Sequence, residues 1–535
     1  MSPKRWRTVL VVFILLGLLG YSGYRYLSWK AANAIRDAMN KHSSEDVSFG
    51  FDKLKLHLFD GSMALYNVVL KRSHMDSVLW QVSLRNIELQ GFRYTFASES
   101  STLDIASIEA SGGQIKINQK NPNFNIFDTP GGEIASEKVK LTALNIGRID
   151  LFNSTLNYNS TRSEKGKANF EIHLSGLEFV ESTEKIVWKT AEIELGQIAY
   201  QTADSVYNIS AARARLNLVG QEMVFDSVKL KSNYGKKEFQ ELYGYRKSRF
   251  DMEFPILKIS GWKIAKDSIY VDDVQLDKPL ILLSRDNRLP FPERITPMPQ
   301  QMLDSLGFPF KLDTLSIHQG RFNIEITGER IPEPAELYFS AVNGQISQVQ
   351  NIDIDAAYLK VEADAMFMGK APIHLDFEYL NGSYHPWQLS AKASGLDLTV
   401  LNPLLSATLG LEVGKGNMKL LDFDIFGNQA ETAGRVQFLY DDLSIEMSEQ
   451  MKSETPGILR FLFQSTGSLL YHKSNEAGSK ERTVTIELDR NVQKDFTGQW
   501  LDALMAGMIE SVVSIETGNT EKKKKTLWER IRPEK

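Results

Sequence analysis

The chain has 535 residues, with 62 Lys and Arg against 67 Asp and Glu, and no cysteine. A net charge of −5 argues against a nucleic-acid binder held by phosphate contacts, and the missing thiols exclude a disulfide framework, a thiolate metal site and a cysteine nucleophile. Hydrophobic residues make up 42% of the chain and charged residues 24%, which is enough apolar material for a large core and too little for a polytopic membrane protein. The charge is unevenly placed: residues 1–41 carry +6 and residues 521–535 carry +4, so the part between them carries −15. Basic ends on an acidic body suggest that the ends meet anionic surfaces.

The first element expected is a membrane anchor. Residues 8–24, TVLVVFILLGLLGYSGY, run uncharged between Arg7 and Arg25. Seventeen residues at about 1.5 Å each lie near the lower limit for crossing the hydrocarbon core, and Arg25 can snorkel to extend the span. Lys4, Arg5 and Arg7 precede the run, which places the N-terminus in the cytoplasm by the positive-inside rule. A cleaved signal peptide has the same outline, but the nearest small-residue site, Ala32-Asn33-Ala34, is separated from the apolar run by Arg25 and Lys30. Residues 1–27 are therefore read as a cytoplasmic stub and an uncleaved single-pass anchor. Residues 28–45 are read as a helical neck, with Ala32, Ile35, Ala38 and Met39 forming its apolar stripe.

From about residue 46 the apolar period changes to two, as in LKLHL at 54–58, and strand signal dominates to residue 490. Four segments share a pattern: IASIEASGGQIKI (105–117), IGRIDLFNSTLNY (146–158), ISGWKIAKDSIYV (259–271) and LDTLSIHQGRFNI (312–324). Apolar residues recur in each at offsets 0, 3, 5, 10 and 12. A tight turn between offsets 7 and 8 would pair offset 5 with 10 and offset 3 with 12 on one sheet face. The residues at those two offsets, Gly112-Gly113, Asn153-Ser154, Lys266-Asp267 and Gln319-Gly320, include several that tolerate the positive φ such a turn needs. Each copy is therefore expected to be a β-hairpin with one apolar and one polar face. The Pro-rich stretch 291–310 is read as a break between two β regions, 46–290 and 311–490, with a short helix near 300–306.

Residues 491–516 are expected to form an amphipathic helix, with Phe496, Trp500, Leu504, Met508 and Val512 in steps of four on one face. It either caps the last strand or makes a distal contact with a membrane or a protein. Residues 517–535 form a basic tail. None of the eight histidines has a familiar metal-ligand spacing, and there is no Walker A loop and no G-x-S-x-G elbow. The sequence is thus read as non-enzymatic, with no catalytic residues, no metal site and no cofactor. The apolar sheet face must be covered, by a second sheet, by closure into a barrel, or by something else lying in a groove.

At this point the chain resembles the AsmA-like family of bacterial envelope proteins, of the Bacteroidota type and related to the bridge-like lipid-transfer proteins. The residues that carry the resemblance are the single anchor, the neck, the entry VSFGFDKLKLHLFDGSMALYNVVL (47–70) and the repeated LDTLSIHQGRFNI pattern. To these are added GRVQFLYDDLSIEM (434–447) and TVTIELDR (483–490), followed by QKDFTGQWLDALMAGMIESV (493–512). The resemblance implies a mainly β fold: an N-terminal transmembrane helix, an elongated, curved, repetitive antiparallel sheet with an apolar groove, and a C-terminal amphipathic helix. It implies a single-pass protein of the bacterial inner membrane with its bulk in the periplasm. There it would bind phospholipid acyl chains and assist lipid transport or outer-membrane biogenesis, with outer-membrane or envelope proteins as further partners. The groove candidates are then Ile108, Ala110, Ile115 and Ile117; Ile149, Leu151, Leu156 and Tyr158; Trp262, Ile264, Ile269 and Val271; and Leu315, Ile317, Phe322 and Ile324. The competing expectation is a non-catalytic scaffold whose sheet is self-packed and whose surface binds envelope proteins.

Overall fold

The computed structural model describes residues 24–512, apart from 27, 34, 36, 38–46, 58–60, 75–76, 98–99, 120–142, 161–162, 181–184, 266–267, 329–332, 353–358, 381–384, 448–470 and 479–481. The expected anchor at 8–24 falls outside the described residues except for Tyr24, and the basic tail falls outside them altogether. Among the described residues no helix is long and apolar enough to cross a membrane. Those described between 24 and 37 are helical, and Ala31, Ala32 and Ile35 pack against a small core of Phe51, Leu54, Leu65 and Val68.

The protein is mainly β and divides into two compact units, Met1–Phe225 and Asp226–Lys535. In the first unit β1 (Val47–Gly50) and β2 (Lys53–His57) lie end to end against β3 (Ser62–His74), which pairs with β4 (Ser77–Gln90). Next, β5 (Arg93–Ala97) folds back on β6 (Ser100–Ser111), and β6 and β7 (Gln114–Gln119) lie end to end against β4. Strand β8 (Ala143–Ser160) follows, then β9 (Lys165–Val180). Against β9 lie β10 (Lys185–Val187) and β11 (Thr190–Gln201), again end to end, and β12 (Tyr207–Asn217) pairs with β11. Strand β13 (Glu222–Ser232) contains the division between the units.

The second unit repeats this connectivity. After helix α1 (Lys236–Tyr243), β14 (Arg249–Ser260) carries on one side β16 (Ser268–Asp277) and β17 (Leu280–Asp286) end to end, and β15 (Lys263–Ala265) folds back on β16. After the short helix α2 (Pro299–Asp304) come β18 (Phe310–Thr327) and its antiparallel neighbour β19 (Ala335–Gln350). The ladder continues through β20 (Lys360–Phe367), β21 (Ala371–Tyr379) and β22 (Trp387–Ala393). A short β23 (Leu396–Asp397) and helix α3 (Asn402–Thr408) lead into β24 (Leu411–Gly427). Strand β25 (Glu431–Met447) and β26 (Thr483–Asp489) finish the sheet, and helix α4 (Phe496–Val512) packs on it.

The expected hairpins are corrected in three of the four copies, and the purely antiparallel sheet is corrected to a mixed one. Residues 146–158 and 312–324 each lie inside one continuous strand, β8 and β18, and 105–117 spans the collinear pair β6 and β7. At offset 7 the chain takes a positive φ: Gly112 at 66°, Asn153 at 49° and Gln319 at 55°. Ladder register shifts at Leu151/Ser154 and at Ile317/Gly320 mark bulges at the last two. A bulge inserts one residue and bends the strand, so offsets 3, 5, 10 and 12 return to the same face without a reversal of direction. A two-residue turn and a positive-φ bulge produce the same skip in apolar phase.

The copies pair with one another. Strands β6 and β7 run parallel to β8 with equal offsets matched: Ile105 with Ile146, Ile108 with Ile149, Ala110 with Leu151, Ile115 with Leu156 and Ile117 with Tyr158. In the second unit the copy beside 312–324 is not 259–271 but VDDVQLDKPLILL, 271–283, whose positive-φ residue is Lys278. Val271, Val274, Leu276, Ile281 and Leu283 pair in parallel with Leu312, Leu315, Ile317, Phe322 and Ile324. The backbone bonds at the two stacked bulges are the same. The Gly112 amide donates to Phe152 O and the Thr155 amide to Gly113 O; the Lys278 amide donates to His318 O and the Arg321 amide to Pro279 O. The two bulge pairs are a constant 166 residues apart, and both parallel connections, 120–142 and 287–309, are 23 residues long. Parallel neighbours need a crossover of a dozen or more residues, and each module has one.

Candidate functional site

Matching the offsets across neighbouring strands turns the repeated pattern into apolar rows that run perpendicular to the strands. In the first unit one row reads Leu54, Leu65, Ile87 and Ala110, then Leu151, Ile172, Ile193 and Leu216. It crosses eight strands, about 34 Å at ~4.8 Å per strand. Beyond the bulges a second row holds Leu70, Val82, Ile115, Leu156 and Ala168. The opposite face carries charge: Arg148 bridges Glu109 at 2.6 Å and Asp150 at 2.7 Å, and His173 Nδ1 meets Asp150 at 2.8 Å. A polar-lined cleft of about 440 Å³ opens at the bulge line between β8, β9 and β11, bordered by Asn153, Asn169, Glu171, Glu194 and Arg213.

The groove candidates sit as follows. Ile108, Ala110, Ile115 and Ile117 face Ile149, Leu151, Leu156 and Tyr158 partner by partner. All eight are half-buried, neither sealed nor free. Leu315, Ile317, Phe322 and Ile324 are half-buried beside Val274, Leu276, Ile281 and Leu283; of these four partners Leu276 is buried and the other three are half-buried. The sequence pattern at Val271 has the same offsets, but Lys278-Pro279 at its centre does not resemble a turn pair, so this copy escaped notice. The segment 259–271 does form the expected short hairpin, with Ile264 opposite Ile269, yet Ile264 is 66% exposed and lies outside the rows. Trp262, Ile269 and Val271 are half-buried.

In the second unit one row can be followed across nearly the whole sheet, and its burial changes along the way. Ile259, Val274, Leu315, Ile346 and Val361 are half-buried. From Phe377 the same row continues through Leu389, Ile425 and Ile486 with exposures of 8%, 3%, 0% and 3%. The cover is α4 together with the Pro-rich crossover. Phe496, Trp500, Leu504 and Met508 pack against this core, and Met508 and Val512 reach an adjoining core around Tyr440 and Phe438. The most deeply seated face of α4 is made of Gln499, Ala503, Gly507 and Ser511 instead. A Cβ at Gly507 would stand 2.5 Å from Val436 Cγ2, so only glycine lets the helix lie this close. The crossover contributes Met298, which is fully buried, and is tied down where Thr296 receives a bond from Arg490 Nη2 at 2.7 Å and donates its own amide to Val492.

One grouping of possible metal ligands exists among the described residues: Glu362, His374 and Asp376, with ligand atoms within 4.8 Å of one another. Cross-strand neighbours on β20 and β21 bring them together, which no sequence spacing reveals. Both ring nitrogens of His374 are already engaged, Nδ1 by Asp364 at 2.9 Å and Nε2 by Asp376 at 3.2 Å. The hydrogen bond to Asp364 raises the His374 pKa above its ordinary value despite some desolvation. The arrangement reads as a charge clamp across the exposed face.

Neither a protein-family model nor a curated protein matches the chain.

Proposed function

We propose that the protein is a lipid-binding envelope protein of the AsmA-like kind, holding phospholipid acyl chains along its apolar rows. The observation that carries this reading is the half-buried state of the first unit's row from Ile87 through Ala110, Leu151, Ile172 and Ile193 to Leu216, whereas its first two members, Leu54 and Leu65, are buried beside the neck residues Ala31, Ala32 and Ile35. The half-buried part of the row crosses six strands and offers about 24 Å of apolar track, and each CH₂ placed on such a surface gains ~0.8 kcal/mol while the headgroup stays in water. The in-register bulges keep the same face apolar on both sides of each bend. Transport along the track would be passive, with phospholipid moving between membranes and the apolar segment 8–24 fixing one end in an inner membrane. In this reading no residue acts as a catalyst.

The scaffold reading has its own support in the sealed core beneath α4, where an apolar row is closed by protein. The test is lipid content. Residues 29–535 are expressed in a bacterial periplasm, purified without detergent, extracted and analysed by mass spectrometry beside a matched soluble control. Reproducible phospholipid in whole-number proportion to protein is the expected result. A lipid-free, monomeric, stable protein would overturn the proposal in favour of the scaffold.

A further inference from the structure

We infer that α4 and the 291–304 crossover form a displaceable gate over the far end of the second unit's apolar row, and that the occupant which displaces them is a phospholipid acyl chain. This rests on the lipid-binding reading and adds to it a place where the track is shut. The row is one continuous line of ladder partners, yet its exposure falls to zero where α4 crosses it. The apolar surface under α4 therefore has the same pattern as the open surface beside it, and the difference lies in the cover.

The cover can leave without breaking the ladder. It adds no strand; it rests on side-chain packing, on bonds to loop carbonyls, on bonds with the strand side chains of Thr432 and Tyr440 and with Arg482, and on an ion pair between Arg285 and Asp495. Its seat also concentrates buried polar atoms that have no partner: Tyr379 Oη, Trp387 Nε1, Arg490 Nε, Gln499 Oε1, and both amide atoms of Gln300. All five residues are less than 10% exposed. A buried polar atom without a partner costs the desolvation of that atom with nothing in return, so the closed state carries a penalty at the contact that would open. The penalty is relieved when water or a headgroup reaches these atoms. Phe496 seats α4 on the sheet, lying 5.1 Å from the Trp387 ring and 5.9 Å from the Tyr379 ring.

The test uses the full chain held in an amphipathic polymer, with and without vesicles of palmitoyl-oleoyl phosphatidylglycerol. Two quantities are read: amide hydrogen exchange of 496–512, and phospholipid bound per chain after the vesicles are floated away. The gate predicts that loading speeds exchange of 496–512 about tenfold while β24 and β25 stay protected. It also predicts that Gly507→Leu, which cannot seat against Val436, binds more phospholipid than the unaltered chain. Phospholipid bound with unchanged exchange at 496–512 overturns the gate and leaves the lipid reading standing. No phospholipid bound by either protein overturns both. Binding by Gly507→Leu alone supports the gate and shows that it is closed at rest. The exchange measurement on the unaltered chain decides the matter if Gly507→Leu does not fold.

Discussion

A charge placed on the apolar face distinguishes an open row from a sealed one, and the structure supplies an internal control. Ile115 is half-buried between Val82 and Leu156, whereas Ile425 is fully buried between Leu389 and Gly434 under α4. Ile425→Asp forfeits the whole burial of an isoleucine, about 1.5–3 kcal/mol. It also strands a carboxylate without a partner, at several kcal/mol more after relaxation. The sum of roughly 5–8 kcal/mol is comparable to the entire stability of a typical domain, so this variant should lose cooperative folding of the second unit. Ile115→Asp loses about half of one side chain's burial, ~0.75–1.5 kcal/mol, because its carboxylate can reach water along the open side. Urea titration followed by circular dichroism, with limited proteolysis to assign the unit that opens, measures both. The Ile115→Asp protein should remain folded and carry less phospholipid. An Ile115→Asp protein as unstable as Ile425→Asp would show that the first unit's face is sealed and would refute the open-row argument.

Further predictions follow from the bulges, the helix seat and the charge clamp. Asn153 holds a φ of 49°, so Asn153→Gly should be neutral or mildly stabilising, while Asn153→Val should cost about 1–3 kcal/mol in the urea midpoint. Equal effects of the two substitutions would contradict the bulge. Gly507→Ala should cost about 1–3 kcal/mol by crowding Val436, and Val436→Ala in the same chain should recover part of it. A double-mutant cycle with no coupling would show that the helix is not seated there. His374 has a folded-state pKa above its ordinary value, so the clamp stabilises fully below about pH 6.5 and fades as pH rises through the raised value. Because the clamp is largely exposed, His374→Gln should lower stability by no more than ~1 kcal/mol at low pH and by nothing at about pH 9. A pH-independent loss would assign His374 a packing role instead.

Much of the repeat was legible in the sequence, and what was misread has a physical cause. Apolar residues at offsets 3, 5, 10 and 12 specify one shared face, and Ile108, Ala110, Ile115 and Ile117 do share it with their partners on β8. The five-residue step from Ala110 to Ile115 does not say whether the chain reverses or bulges. Gly112 and Asn153 are favourable in both cases, since both require positive φ. The deciding signal was the spacing between copies. Twenty-eight residues separate 105–117 from 146–158, and the same number separate 271–283 from 312–324, which is long for a hairpin connection and ordinary for a parallel crossover. The true second-module copy was hidden because Lys278 adopts the positive φ that glycine or asparagine would have announced. The clamp around His374 and the seat under Gly507 join residues distant in sequence or on neighbouring strands, and no local pattern encodes them.

The duplication explains how a sheet of this kind can lengthen without losing its chemistry. A new module adds strands whose bulges stack on those of the preceding strand, as Gly112 stacks on Asn153 and Lys278 on Gln319, through the same two backbone bonds. If a strand lacked its bulge, the apolar phase beyond the bend would flip to the charged face, because the side-chain period is two. The positive-φ residues therefore keep every row continuous, and they do so without contributing to it, since Asn153, Lys278 and Gln319 are themselves exposed. Continuity is set by backbone conformation, and openness is set separately by what lies on top. In the second unit both conditions occur along one row: Leu315 has no helix over it among the described residues, and Ile425, on the same line, lies under α4. Lengthening the track thus needs only more modules, whereas closing it needs a separate element, and the C-terminal helix is the element that this chain places there.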